Sequence, residues 1–267
     1  MPTPRITELP DTARALIEKA SGPIIDLGTV HTGLNSSIAA VVRTRRGTLF
    51  VKGLPLDHPR VWTQEREADI AVHVHSIAPR LCWHVEADGW SLLGFEHVEG
   101  GHADYTPGSS DLPAVSASMA RLTELRAPGV ELKTMPDRFR QYVDDPAELE
   151  WFEGHSLLHT EWNPHNVLIA DDGAVFVDWA WASTGAAWID PALWLLWLIA
   201  HGHTPEAAES VASAHPAWKT APPEGLDTLA RVQQRLWDSI AEQSPDEWAQ
   251  PMQAAARVWN MHRQHQQ

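Results

Sequence analysis

One stretch of the chain, Ser156 to Asp190, most constrains what the protein can fold into. Within it, two β-type runs, Val167-Leu168-Ile169 and Val175-Phe176-Val177, are joined by Asp171-Asp172-Gly173. Because Asp-Gly supplies the positive φ angles of a tight turn, we expect a hairpin here. The polar segment before it, residues 159–164, cannot continue a regular element past its proline and is predicted to be a loop.

Three polar side chains flank this hairpin. Glu161 and Asn166 precede its first strand, and Asp178 follows its second strand. An acid, an amide five residues later and an acid after a hairpin is the spacing of a phosphotransferase. There the first acid orients the acceptor hydroxyl, and the amide and second acid hold Mg²⁺ against nucleotide phosphates. The pattern therefore predicts Glu161, Asn166 and Asp178 as catalytic residues, with Asn166 and Asp178 as the metal ligands.

These residues resemble those of the aminoglycoside phosphotransferase and choline-kinase-like family. The family's loop motif, H-x-D-x-x-x-x-N followed by a strand that ends in D, maps onto His159, Glu161, Asn166 and Asp178. One position departs from the pattern, because Glu161 stands where the family has Asp.

The resemblance implies an α+β class and a bilobal protein-kinase-like fold. A small N-terminal lobe would consist of an antiparallel sheet with one helix, and a larger C-terminal lobe would be mainly helical. A chain of 267 residues is long enough for this arrangement. We expect a nucleotide-binding lobe at residues 1–97 and a catalytic, acceptor-binding helical lobe at residues 98–267.

A small, polar turn separates two β-type runs near the N-terminus. Backbone amides in such a turn can approach phosphates closely where Gly and Ser leave room. Glycines in this position could also serve any hairpin, so the turn alone is a weak signal. Its candidate phosphate-binding residues are Gly28, Gly33, Ser36 and Ser37.

The next β-type run, Thr48 to Lys52, ends in a lysine. Such a lysine either extends along an edge of the sheet or reaches into a cleft. A glycine-containing hairpin followed by a strand lysine is the kinase nucleotide site, where the lysine pairs with phosphates and with a helix glutamate. Glu67 fits the family's interval from Lys52 better than Glu65 does, although both could be solvated helix charges.

The resemblance also assigns positions that carry no side-chain signal of their own. Glu96 and Val98 would offer a backbone carbonyl and a backbone amide to the adenine edge. Asp190, followed by Pro191, fits a helix N-cap, and it is the candidate for the acid that supports the catalytic loop in the family.

Charge is distributed unevenly. Residues 141–267 contain 5 Lys or Arg and 18 Asp or Glu, which is −13 of the net −15. This excess argues against a nucleic-acid partner. A solvated acidic face would explain it, and an acidic acceptor site would in addition favour a cationic acceptor. The 14 Trp residues fit core and groove packing or, alternatively, an aromatic cage for a cation.

Cysteine usage and the apolar runs indicate a compartment. A single cysteine, Cys82, excludes an intramolecular disulfide and favours a reducing environment. The N-terminal residues MPTPRITELP lack an apolar signal core, and the longest apolar run is too short to cross a bilayer. We therefore expect a cytoplasmic protein with no membrane partner.

Together these features predict transfer of a phosphoryl group from ATP, with Mg²⁺, to a hydroxyl of a small cationic molecule such as an aminoglycoside or another antibiotic. Glu161 leaves a second possibility open, since its extra methylene adds about 1.5 Å of reach and a misplacement of about 1 Å can cost roughly 100-fold in rate. The alternative is a weak or inactive kinase-like nucleotide-binding protein that acts through a protein partner. A kinase for peptide Ser or Thr is a third possibility. A zinc site at His159, Glu161 and His165 is disfavoured by the intervening Pro164.

Overall fold

The structure, a computed structural model, describes residues 10–29, 36–243 and 247–266. The chain divides into two compact units. The first unit comprises Met1–Gly100 and Phe176–Ala180, and the second comprises Gly101–Val175 and Trp181–Gln267. The class is α+β, with an antiparallel sheet in the first unit and mostly helices in the second. Nucleotide binding by residues 1–97 and catalysis with acceptor binding by residues 98–267 remain predictions.

The sheet of the first unit has five strands: β1 (Ile24–Thr29), β2 (Ile38–Thr44), β3 (Gly47–Pro55), β4 (Leu81–Ala87) and β5 (Trp90–Glu96). Their order is β1-β2-β3-β5-β4, and every neighbouring pair is antiparallel. The β4–β5 hairpin turns at Asp88 and Gly89, whose φ angles are +48° and +83°. Positive φ at both positions is what an Asp-Gly turn provides, and it fixes the register of this pair.

A helix packs on each face of the sheet. The helices are α1 (Asp11–Ser21) and α2 (Trp62–Val74). On one face, Leu16 and Ile17 of α1 share a core cluster with strand residues that include Leu92. On the other face, Ala71 of α2 packs with Leu93. Successive strand side chains point to opposite faces, so Leu92 and Leu93 contact different helices.

The second unit contains six shorter strands that follow in the chain: β6 (Gly101–His102), β7 (Lys133–Thr134), β8 (Ser156–Leu158), β9 (Val167–Ala170), β10 (Gly173–Phe176), which ends in the first unit, and β11 (Ser183–Gly185). They form two three-stranded sheets with the orders β10-β9-β6 and β7-β11-β8. The predicted hairpin of the catalytic region is the β9–β10 pair, and Gly173 has a φ of +130°.

Helices make up most of the second unit: α3 (Leu112–Thr123), α4 (Met135–Phe139), α5 (Ile189–Ala200), α6 (Pro205–Ser213), α7 (Pro223–Gln243) and α8 (Gln250–His265). Helix α5 is buried along nearly its whole length and packs against α6 and α8. Its sequence is apolar on all sides, which is typical of a helix in the centre of a unit. No helix in the described part of the chain is both long and apolar enough to cross a membrane.

Candidate active site

Lys52 lies within β3 with its side chain on the face of the sheet that α2 covers. The preceding residue, Val51, packs on the α1 face, and strand side chains alternate. The ammonium of Lys52 forms an ion pair with Glu67 of α2, and the two side chains are 9% and 4% exposed. Glu65 is exposed. Of the two candidate glutamates of this helix, Glu67 is therefore the one that contacts Lys52.

Asp178 is a second partner of the same lysine. Its Oδ1 lies 3.1 Å from Lys52 Nζ, although the two residues are 126 positions apart in the chain. Asp178 has a φ of +64°, a left-handed conformation that Asp tolerates better than most residues. The backbone amide of the next residue, Trp179, hydrogen-bonds to Glu67. One buried cation thus lies against two carboxylates.

The charges of this cluster shift its pKa values. Burial by itself would lower the pKa of Lys52, but attraction to Asp178 and Glu67 outweighs burial and raises it above its ordinary value. Burial, with a smaller contribution from the like charge of Asp178, raises the pKa of Glu67 to about 7, although Lys52 opposes the change. The excess of negative charge means that an added cation would be stabilised here.

The residues predicted to form one phosphate-binding turn do not all lie in a turn. The sequence predicts Gly28 in the turn, but this prediction is wrong, because Gly28 lies inside β1 and pairs with Val41. Pairing with β2 extends to Thr29, which lies opposite Ala40, so the strand includes Gly28. Ser36 and Ser37 lead into β2, and the Ser37 amide donates to the carbonyl of Gly53 at 3.0 Å. The remaining candidate, Gly33, lies outside the described residues.

The two predicted adenine contacts lie at and just after the last ladder position of β5. Glu96 pairs with Leu49 of β3, and its amide donates to the carbonyl of Arg80 at 2.9 Å. Its carboxylate also forms an ion pair with Arg80. Within the described part of the chain, no backbone hydrogen bond involves the amide of Val98.

In the second unit, the predicted catalytic loop follows β8 and is held by a buried acid. Asp190 is 1% exposed. Its carboxylate accepts hydrogen bonds from the backbone amides of His159 at 2.9 Å and Thr160 at 3.0 Å, and from the indole of Trp162 at 2.9 Å. The contact with the loop is the one that the family resemblance implies.

The helix N-cap assignment of Asp190 is wrong. Helix α5 begins one residue earlier, at Ile189, with Trp188 as its N-cap. The carboxylate bonds to the loop amides instead of capping the helix. Burial raises the pKa of Asp190 to about 6, while its hydrogen bonds and the nearby Arg138 oppose the rise.

Glu161 and Asn166 are joined through the backbone of the loop. The amide of Glu161 donates to His159 Nδ1 at 3.3 Å, and its carbonyl accepts from Asn166 Nδ2 at 3.2 Å. The short 3₁₀ helix Pro164–Asn166 is capped by Asn163, whose side chain accepts from the amide of His165. Because Nδ2 of Asn166 donates to Glu161, the orientation of the amide is set and its Oδ1 remains the acceptor end.

The chemistry of each of the two predicted ligands fits Mg²⁺. The carboxylate of Asp178 and the amide oxygen of Asn166 are hard oxygen donors of the kind that Mg²⁺ prefers. Within the residues that the structure describes, no group of three His, Cys, Asp or Glu side chains could hold a metal ion by itself. Magnesium sites commonly take their remaining ligands from substrate phosphates and water.

Sequence reasoning did not identify Arg138 of α4. Its Nη1 donates to Thr160 Oγ1 at 2.7 Å, beside Glu161, and to the carbonyl of Trp181 at 3.0 Å. A lone arginine in a short helix carries no motif or periodic signal. Only the folded chain brings it to the loop.

Comparison with known proteins identifies the fold. No family model matches the chain, and no curated protein matches it. Among solved structures, choline kinase LicA from Streptococcus pneumoniae aligns with a TM-score of 0.62 at 12% identity, over 94% of this chain and 100% of that chain. An aminoglycoside phosphotransferase from Alicyclobacillus acidocaldarius aligns with a TM-score of 0.62 at 14% identity, over 96% and 93%.

A thermostable mutant of aminoglycoside phosphotransferase APH(4)-Ia, in a ternary complex with AMP-PNP and hygromycin B, aligns with a TM-score of 0.58 at 14% identity, over 92% of this chain and 98% of that chain. These alignments span nearly the whole of each partner. The chain therefore has the protein-kinase-like fold of the choline kinase and aminoglycoside phosphotransferase structures.

Proposed function

We propose that this protein is a small-molecule kinase that transfers the γ-phosphoryl group of ATP to a hydroxyl. One observation carries the proposal: the buried Lys52 pairs with both Glu67 and Asp178. Such a cluster is costly compared with apolar packing of the same volume. Buried, perturbed charges of this kind are concentrated at functional sites.

In this proposal the first unit binds the nucleotide. Lys52, held by Glu67, binds the phosphates. The backbone of Glu96 and Val98 contacts the adenine edge. Of the predicted phosphate-binding residues that the structure describes, Gly28 in β1 and Ser36 and Ser37 before β2 would contact the phosphates.

Asn166 and Asp178 would hold Mg²⁺, which neutralises phosphate charge and orients the phosphates for transfer. Asp178 is 27% exposed, whereas Glu67 is 4% exposed. A cation at Asp178 would compete with Lys52 for that carboxylate. Glu67 would continue to hold the lysine.

Glu161 would orient the acceptor hydroxyl and take up its proton. The acceptor oxygen forms a bond to the γ-phosphorus as the bond to the bridging oxygen of ADP breaks. Because a glutamate reaches about 1.5 Å further than an aspartate, the acceptor would lie correspondingly further from the loop backbone.

A cationic acceptor is supported by two observations. Residues 141–267 carry an excess of 13 negative charges, which would attract a cation. The solved structures with this fold include a choline kinase and a complex with hygromycin B. We therefore propose hydroxylated amines as the acceptor class, with aminoglycosides and related antibiotics among them.

A second candidate function rests on Glu161. With glutamate at the base position, the protein could bind nucleotide and act through a protein partner without transferring phosphate. The two candidates share the nucleotide site and differ in turnover.

Nucleotide turnover tests both candidates. We would measure ADP release with Mg²⁺ and ATP against a panel of choline, aminoglycosides and Ser- or Thr-containing peptides. Asp178→Ala should abolish acceptor-dependent release, whereas Asp172→Ala, at an exposed hairpin turn, should leave it unchanged. A silent wild type that binds ATP, together with an active Glu161→Asp variant, would favour the binding protein. Absence of ATP binding would exclude both candidates.

A further inference from the structure

Thr160, the residue before Glu161, has a φ of +67°. This left-handed conformation is rare for a β-branched residue, because its Cβ substituents crowd the backbone. Asp178 has a similar φ of +64°, but Asp belongs to the types that are enriched there. A threonine in this conformation persists only where its surroundings hold it.

Three contacts hold Thr160. Its amide donates to Asp190 Oδ1 at 3.0 Å. Its hydroxyl donates to the carbonyl of Trp181 at 3.1 Å and accepts from Arg138 Nη1 at 2.7 Å. Amide and hydroxyl are therefore both fixed, and the direction of the backbone into Glu161 is fixed with them.

Arg138 connects this loop to the segment after Asp178. Its Nη1 donates to the carbonyl of Trp181 and to Ser183 Oγ, both at 3.0 Å. Its guanidinium also lies over the ring of Trp181, 5.7 Å from the centroid. A planar guanidinium can stack and donate at the same time, which a lysine ammonium cannot do in the same geometry.

The β7-β11-β8 sheet explains why these groups meet. Ser183, the first residue of β11, pairs with Leu158, the last residue of β8, and with Lys133 of β7. The catalytic loop leaves the sheet after Leu158, and α4, which carries Arg138, follows β7 directly. Three segments that are distant in sequence thus converge at one place in the second unit.

We propose that Arg138 is a positioning residue for Glu161. By holding the hydroxyl of Thr160 and the carbonyl of Trp181, it keeps Thr160 left-handed and so sets the direction in which the loop presents Glu161. The catalytic consequence rests on the function proposed above, whereas the hold on the loop does not.

Amide hydrogen exchange of the full-length protein tests that hold. In Arg138→Met, exchange in peptides that cover residues 159–162 should become about ten- to hundredfold faster, because hydrogen bonds to a charged group are lost. Peptides that cover Lys52 and Glu67 should be unchanged. The matched control is Arg140→Met, which removes an exposed arginine paired with Asp137 and should change neither region.

Unchanged exchange at residues 159–162 in Arg138→Met, or equal acceleration throughout the chain, would overturn the proposal. Should Arg138→Met fail to fold, Arg138→Lys provides the same test. Lysine keeps the positive charge but lacks the planar guanidinium with its several donors. We therefore expect hydrogen exchange to become several-fold faster in the same peptides only.

Kinetics test the consequence for Glu161. Arg138→Met should lower kcat about 100-fold, as expected for misplacement near 1 Å, with the KM for ATP within about twofold. In a Thr160→Ala background, the same change should lower kcat less than about threefold further, because coupled residues are not additive. Additive losses or a large rise in KM would contradict positioning through Thr160. A wild type without turnover would refute the proposed function, and hydrogen exchange alone would then decide the role of Arg138.

Discussion

The two units bury charge in opposite ways. In the first unit, Lys52 is paired with two carboxylates, Glu67 and Asp178, so each charged group lies against a side chain of opposite charge. In the second unit, the carboxylate of Asp190 accepts hydrogen bonds from two backbone amides and an indole of residues 159–162. One cluster is built from ions, and the other from an ion and peptide groups.

The difference indicates different roles. Side-chain ions can exchange partners, and Asp178, at 27% exposure, is accessible to a cation that would replace Lys52 as its partner. Asp190 is 1% exposed and is bonded to the backbone, so it cannot exchange partners unless the loop unfolds. The first cluster is therefore suited to binding ligands, and the second to holding the loop in place.

The largest effect is expected when Asp190 is removed. Asp190→Ala leaves two amides and an indole without their acceptor, at about 1–3 kcal/mol each, so the free energy of unfolding should fall by at least about 3 kcal/mol. Urea unfolding followed by circular dichroism would measure it. Asp26→Ala removes a carboxylate from an exposed ion pair with Arg43 and should cost less than about 1 kcal/mol. Equal losses in both variants would contradict the structural role of Asp190.

The next effect concerns ligand binding. Lys52→Met removes the cation and leaves two carboxylates that repel phosphate, so binding of Mg²⁺–ATP should weaken about ten- to hundredfold. Asp190→Asn keeps one acceptor oxygen and should leave the affinity within about threefold. Isothermal titration of both variants would test the contrast. If Asp190→Asn weakened binding as much as Lys52→Met, the assignment of separate roles would be wrong.

A smaller effect should appear in the pH dependence of stability. The pKa of Glu67 rises from 4.5 to about 7 on folding, so the folded protein holds this proton more tightly than the unfolded chain does. Glu67 therefore favours folding below pH 4.5, and the contribution is lost as the pH rises through 7.

Glu67→Gln should abolish that loss. Relative to the wild type, the variant should gain on the order of 2 kcal/mol in the free energy of unfolding between pH 5 and 8. Taking the difference between the two proteins cancels the titration of histidines that they share. Parallel stability curves would show that Glu67 does not titrate in this range.

The features that could be predicted from sequence are those with local causes. The β4–β5 turn follows from Asp88-Gly89, because positive φ is needed at both positions. The contact between Lys52 and Glu67 is the one that the family resemblance implies, and because helix spacing lets only one of the two glutamates face the lysine, Glu65 is exposed. The order of these motifs was sufficient to predict the fold class.

What could not be predicted depends on contacts between distant residues. Arg138 meets Thr160, Trp181 and Ser183 at separations of 22, 43 and 45 residues, which no local pattern encodes. Asp190 fits an N-cap locally, but the loop amides 30 and 31 residues earlier bind its carboxylate instead. In both cases the tertiary hydrogen bonds decided the outcome.

The smallest effect is expected at Thr160, whose hydroxyl holds the loop in addition to the hydrogen bonds between Asp190 and the loop backbone. Thr160→Ser keeps the hydroxyl that bonds to Trp181 and Arg138, so the free energy of unfolding should change by less than about 0.5 kcal/mol. Thr160→Val keeps the shape but removes the hydroxyl, and should cost about 1–2 kcal/mol. Urea unfolding of both variants measures the difference. Equal values would mean that Asp190 alone holds the loop, and the hydroxyl of Thr160 would then add nothing to the backbone contacts.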